Sequence, residues 1–189
     1  FRNSLFVEPF NYNVMVTIGN YYGETVGDYS KAEEYYNIAL KIKPQEADIY
    51  YDLAKLQLLN DDYEDSIPFL EKAISIDKTN GNYYRTLGTI YYNMKENEKA
   101  LENIQEAYNI NDKDILALNN AGCYYMLVDN DIWRGFSNIE SAYEEMPADI
   151  NAEAKALITD NYTKAKEVYD KFVEDEVAPV VMPSLKLSY

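Results

Sequence analysis

Apolar and small residues recur along this chain at helical spacing, in paired stretches separated by short polar turns. The clearest pair is Gly81–Asp114. Its first half aligns Tyr84, Leu87, Gly88 and Tyr91, and its second half aligns Ala100, Ile104, Ala107 and Ile110. Lys95-Glu96-Asn97 breaks the period between them. Steps of three and four mark a helix with one buried stripe, so the stretch predicts two helices folded against each other. Ala47–Asn80 repeats the plan 34 residues earlier through Tyr50, Leu53, Ala54, Leu70, Ala73 and Ile76.

The pattern extends both ways. Tyr12–Glu46 carries Met15, Ile18, Gly19 and Tyr22, then a turn with Gly27 and Asp28, then Ala32, Tyr36, Ala39 and Ile42. This copy is one residue longer than the 34 of its neighbours, with the extra residue placed in Gly23–Val26. Ile115–Asp149 is the least regular copy, with an extra residue around Val128–Asp131 and Asp131 as the expected helix cap. Small residues recur at matching places: Gly19, Ala54, Gly88 and Gly122 in the first helices, Ala32, Ser66, Ala100 and Gly135 early in the second. They let paired helices approach while bulkier neighbours fill the gaps. Phe1, Ser4 and Val7 fall where Leu70, Ala73 and Ile76 fall later, which predicts the end of a preceding repeat or an N-terminal helix over residues 1–11. From Ile150 to Glu176 the stripe Ile150, Ala154, Leu157, Ile158, Ala165, Val168, Tyr169 and Phe172 predicts one long helix. Such a helix caps a stack by covering its last apolar face. Val177–Tyr189 holds Pro179 and Pro183, so it is expected to be extended. Its apolar residues imply that it docks on something.

The period and the order of residues resemble the tetratricopeptide repeat. That resemblance implies an all-α right-handed superhelical solenoid of about four helix pairs, at 12–46, 47–80, 81–114 and 115–149. The capping helix would occupy 150–176 and the extended tail 177–189. In that family the first helices line a concave groove that binds peptide or protein segments. Carried over by position, the groove would present Asn20, then Tyr51 and Lys55, then Arg85, Thr89 and Tyr92, then Asn119, Cys123 and Met126. Amides bond a peptide backbone in both directions and tyrosines supply broad rigid contacts, which suits an extended peptide or a partner helix. Some relatives clamp a chaperone's C-terminal carboxylate. Here Asn20 matches one member of that set, while Val16, Asp52, Asn82 and Thr86 stand at the other places, so chaperone-tail binding is not expected.

Composition narrows the alternatives. With 33 acidic against 17 basic residues the net charge is −16, which disfavours nucleic acid and anionic membrane surfaces as partners. No apolar run approaches a membrane span. There is no histidine, and the single cysteine, Cys123, reads as a small packed residue rather than a nucleophile. The acidic turns at Asp61–Asp65 and Asp129–Asp131 lack the glycine and glutamate of a calcium loop and read as helix caps. No metal, cofactor or catalytic set is expected. The expected function is a non-enzymatic scaffold that binds a protein or peptide in its groove. The alternatives are a peptide-sensing module of a larger protein whose output domain lies upstream, and self-association through Val177–Tyr189. The chain begins at Phe1 rather than Met, so a cytoplasmic default leaves room for an upstream signal or anchor.

Overall fold

The computed structural model describes residues 11–59, 62–174 and 181–189. The expected preceding repeat at 1–11 lies, up to Phe10, outside the described residues, as do positions 177–180 of the expected tail. Every regular element described is helical. In order they are α1 (Tyr12–Asn20), continued by a π-helical turn (Tyr21–Val26), α2 (Tyr29–Ile42), α3 (Ala47–Leu58) and α4 (Tyr63–Ile76). Then come α5 (Gly81–Asn93), α6 (Asn97–Ile110), α7 (Ile115–Leu127), α8 (Ile132–Glu144) and α9 (Ala152–Glu174). None is long and apolar enough to cross a membrane.

Polar residues at the turns start several of these helices by accepting from backbone N–H groups left free in the first turn. Asp28 accepts from Lys31, Asn80 from Asn82, Asp131 from Arg134 and Asn151 from Ala154. Asp114 accepts from both Leu116 and Ala117. The residue before three of the second-helix caps is left-handed: Gly27 at φ 74°, Lys95 at 63° and Asn130 at 58°.

The two longer copies absorb their extra residue at the same place. In the 34-residue copies the N–H at the second-helix cap bonds the fifth residue back, Asp62 to Gln57 and Glu96 to Tyr91. In the longer copies it bonds the sixth residue back, Asp28 to Tyr22 and Asp131 to Tyr125. The π-helical turn of the first copy is the local form of that widening, since a π-bulge is one residue inserted into an α-helix.

The chain divides into two compact units, Phe1–Thr79 and Asn80–Tyr189. In the first, α1 with α2 and α3 with α4 pack as antiparallel pairs around Met15, Ala32, Tyr36, Ala39, Ile49, Leu53 and Leu56.

In the second unit, α5 pairs with α6 and α7 with α8. Here the small residues set how closely the helices pack. A Cβ added at Gly122 would stand 2.7 Å from the Gly135 carbonyl, and one at Gly135 would stand 2.8 Å from the Met126 Cβ. α9 lies against α7 and α8. Ile158 is buried with Leu118 and Ala142, and an aromatic row ties α8 to α9. Tyr143 stacks on Tyr162 at 4.1 Å, Phe136 on Tyr169 at 4.3 Å, and Trp133 meets Tyr169 edge-on at 4.9 Å. Such pairs add about 0.5–1.5 kcal/mol each beyond their buried area. As a result α5, α7 and α9 run side by side, each touching the next.

Candidate peptide-binding site

Three asparagines form the floor of a site on the second unit. Asn119 and Asn120 stand on α7 and Asn161 on α9, all fully buried. Burying an amide without partners costs about 1–3 kcal/mol, so this floor must be satisfied by something. What satisfies it is the extended segment 181–189, which crosses α9, α7 and α5 in turn.

The contacts are mostly to the segment's backbone. Asn161 donates to the Lys186 carbonyl at 2.7 Å and accepts from the Lys186 N–H at 3.0 Å. Asn120 does the same two residues further on, donating to the Ser188 carbonyl at 2.7 Å and accepting from the Ser188 N–H at 2.7 Å. Each of these two asparagines therefore pairs with the backbone donor and acceptor of one residue together. The step of two matches the period of extended backbone, in which alternate residues share a face. Thr89 on α5 adds a 2.6 Å bond to the Ser188 carbonyl. Lys164 on α9 reaches the Ser184 carbonyl at 3.3 Å, and Asn93 on α5 donates to the Tyr189 hydroxyl at 2.6 Å.

The amides are also bonded to one another, which sets their orientation. Asn161 donates to Asn119 at 2.9 Å, Asn119 to Asn120 at 3.3 Å, and Asn120 to the Thr89 hydroxyl at 2.9 Å. Cys123 lies beneath this row, with its sulfur 3.8 Å from the Lys186 carbonyl. Burial pushes its thiol well above the ordinary range. At the far end Arg85, almost fully buried, pairs with Asp114 at 2.7 Å and reaches the Tyr189 carbonyl at 3.4 Å. Its Nε has no acceptor among the described residues. Leu187 borders an open cleft of about 390 Å³ lined in part by Leu116, Ala154 and Leu157.

Of the groove positions expected from the repeat pattern, Arg85, Thr89, Asn119 and Cys123 come together around the segment. Tyr92 is half-buried, its hydroxyl raised above the ordinary value by burial and by the Cys123 sulfur. Met126 is fully buried against Gly135. In the first unit, Asn20 accepts from the Tyr36 hydroxyl at 2.7 Å. Lys55 pairs with Asp52 at 2.8 Å and lies 5.1 Å over the Tyr51 ring. Burial raises the Asp52 carboxyl above its usual value, against the opposing pull of Lys55.

Sequence reasoning missed Asn93, Asn120, Asn161 and Lys164. Two of these left a trace. Asn120 holds the place in its repeat that Asp52 and Thr86 hold in theirs. Asn161 sits within the apolar stripe of α9, where Ile158, Ala165 and Val168 are the other buried residues. An amide at a core spacing signals a polar contact.

Comparison with known proteins gives the same architecture. Tetratricopeptide-repeat sequences match residues 26–85 and 82–114. Anaphase-promoting complex subunit 3 of Schizosaccharomyces pombe is 27% identical over 113 residues, which is 60% of this chain and 17% of that protein. The chain thus spans about a sixth of that relative's length. The crystal structure of the APC/C hetero-tetramer Cut9–Hcn1 superposes with a TM-score of 0.80 at 18% identity, over 91% of this chain and 33% of that one. YrrB, described as a TPR protein with an unusual peptide-binding site, superposes with a TM-score of 0.65 at 21% identity, over 92% and 90%. At these identities the two structures show the shared fold.

Proposed function

Through residues 26–114 the chain belongs to the tetratricopeptide-repeat family, and from that premise we propose that it is a non-catalytic scaffold holding an extended protein or peptide segment across α5, α7 and α9. One observation carries this reading. Asn120 and Asn161 each pair with both backbone groups of one residue, at Ser188 and Lys186. Main-chain bonds of this kind give affinity for any extended strand, while side-chain pockets select among strands. The same reading assigns a contact role to Tyr92 in this unit. The peptide-binding relative named above and the scaffold character of the repeat family support it.

The test is fluorescence anisotropy of a labelled Val181–Tyr189 nonapeptide against the chain ending at Glu174. Saturable binding is expected, weakened at least tenfold by Asn120→Ala together with Asn161→Ala. Absence of binding to a shortened chain that retains its helical circular dichroism would refute the reading. The same bonds would serve a segment donated by a second copy, so the mass of the full chain is measured over a range of concentrations alongside.

A further inference from the structure

We propose that segment 181–189 is a built-in competitor, and that the external partner of this surface is an extended segment of the pattern apolar-x-apolar-serine, as at Leu185-Lys186-Leu187-Ser188. The inference rests on the groove reading above and adds to it a selection rule and a blockade.

The backbone bonds at residues 186 and 188 are indifferent to side chains, so selection must come from the side chains the site encloses. Leu185, Leu187 and Ser188 are 6%, 8% and 8% exposed. Ser184 and Lys186 are exposed, and Val181 is 86% exposed. Ser188 is read most closely. Its hydroxyl donates to Asn120 Oδ1 at 3.1 Å, beside the N–H bond to the same oxygen, while its carbonyl accepts from both Asn120 and Thr89. A larger or charged side chain there would meet two fully buried polar groups that already have partners. Lys186 sends its side chain to solvent, so any residue suits that place.

Occupancy by the chain's own segment also sets how a partner gains access. The three asparagines are satisfied before any partner arrives, and an incoming segment must displace bonds that are already made. The affinity of the full chain for an external segment is therefore reduced by the fraction of molecules in which the floor is free.

The experiment measures the labelled nonapeptide against two full-length chains, the natural one and one carrying Ser188→Glu. A glutamate at 188 would bury a charge among satisfied amides, so the chain's own segment should leave. The Ser188→Glu chain is expected to bind the nonapeptide at least tenfold more tightly than the natural chain. In the peptide, Lys186→Ala should leave the Kd within twofold, whereas Ser188→Val and Leu185→Lys should each weaken it at least tenfold. Equal affinity of the two full-length chains would overturn the blockade. Equal effects of the Lys186 and Ser188 peptide changes would overturn the selection rule. If the chain ending at Glu174 also fails to bind, the groove reading falls and this inference falls with it. Binding there with no difference between the full-length chains sinks the blockade alone.

Discussion

Replacing Asn120 by alanine removes three bonds to Ser188 at once: those to its N–H, its hydroxyl and its carbonyl. A typical intramolecular hydrogen bond contributes about 0.5–1.5 kcal/mol net. The Ser188 carbonyl keeps its Thr89 partner, so the loss centres on roughly 2–4 kcal/mol. The segment need not stay and bear that cost, because it can leave and be hydrated. The change should therefore appear as release of the segment rather than as loss of the fold. At 1.4 kcal/mol per tenfold, roughly 2–4 kcal/mol lowers the docked-to-released ratio by about 30- to 1000-fold. Amide hydrogen exchange followed by NMR reads this directly, since local opening exposes each N–H in proportion to its free energy. Ser188 and Lys186 should lose at least about 30-fold in protection, or down to the unprotected rate. Amides in the middle of α7 should keep theirs. Protection at Ser188 within threefold of the natural chain would refute the argument that this asparagine holds the segment.

Three other perturbations test separate parts of the structure. Gly122→Ala would place a Cβ 2.5 Å from Ile139 and 2.7 Å from the Gly135 carbonyl. Overpacking of about 1–3 kcal/mol should outweigh the roughly 0.5–1 kcal/mol gained by removing a helical glycine, so Tm should fall, and a raised Tm would refute the close approach. Asp114→Ala removes a double cap on α7 and strands the nearly buried Arg85, which should lower stability by roughly 2–4 kcal/mol in urea unfolding. Asp114→Asn, which keeps the cap, should fall between it and the natural chain, and equal losses would show that the cap is irrelevant. Cys123 lies under the Lys186 carbonyl with its thiol raised by burial, so little thiolate forms near neutral pH and reaction with a disulfide reagent should be slow. Asn161→Ala should speed that reaction at least tenfold by releasing the segment, and equal rates would refute the covering role.

The helix pairs were legible because a solenoid writes its packing into a short period. Ala100, Ile104 and Ala107 repeat the places of Ser66, Leu70 and Ala73, so each copy supports the reading of the others. Even the extra residues of the first and last copies could be placed, because the second-helix caps Asp28 and Asp131 fix where the new register begins. The site was legible only in part. Arg85 and Thr89 on α5 match Asn119 and Cys123 on α7 by repeat position, but the contact is made by segment 181–189, which crosses those helices. Which side chains it meets depends on its path, and periodicity holds no record of that path. Asn120 and Asn93 escape the repeat pattern for this reason, each standing beside an expected groove position, Asn119 and Tyr92. The apolar stripe of α9 predicts a cap. Its packing on Leu118 and Ala142 fits that task, but Asn161 and Lys164 give it a second one.

The floor that holds residues 186–188 carries no charge. Its bonds come from Asn119, Asn120, Asn161 and Thr89, which do not titrate, and from Cys123, whose thiol burial raises well above its ordinary range. The surrounding chain has a net charge of −16, and the only charged side chain in the segment is Lys186. Arrival and retention are therefore governed by different forces. For a segment that carries lysine at that place, long-range attraction toward an acidic body is screened within a Debye length, about 8 Å at physiological ionic strength, so salt should slow its capture. Hydrogen bonds between neutral amides sealed under a peptide backbone are nearly indifferent to salt, so release should proceed at about one rate in dilute and concentrated buffer alike. A change in ionic strength would then alter how quickly a lysine-bearing segment is found, without altering how long it stays.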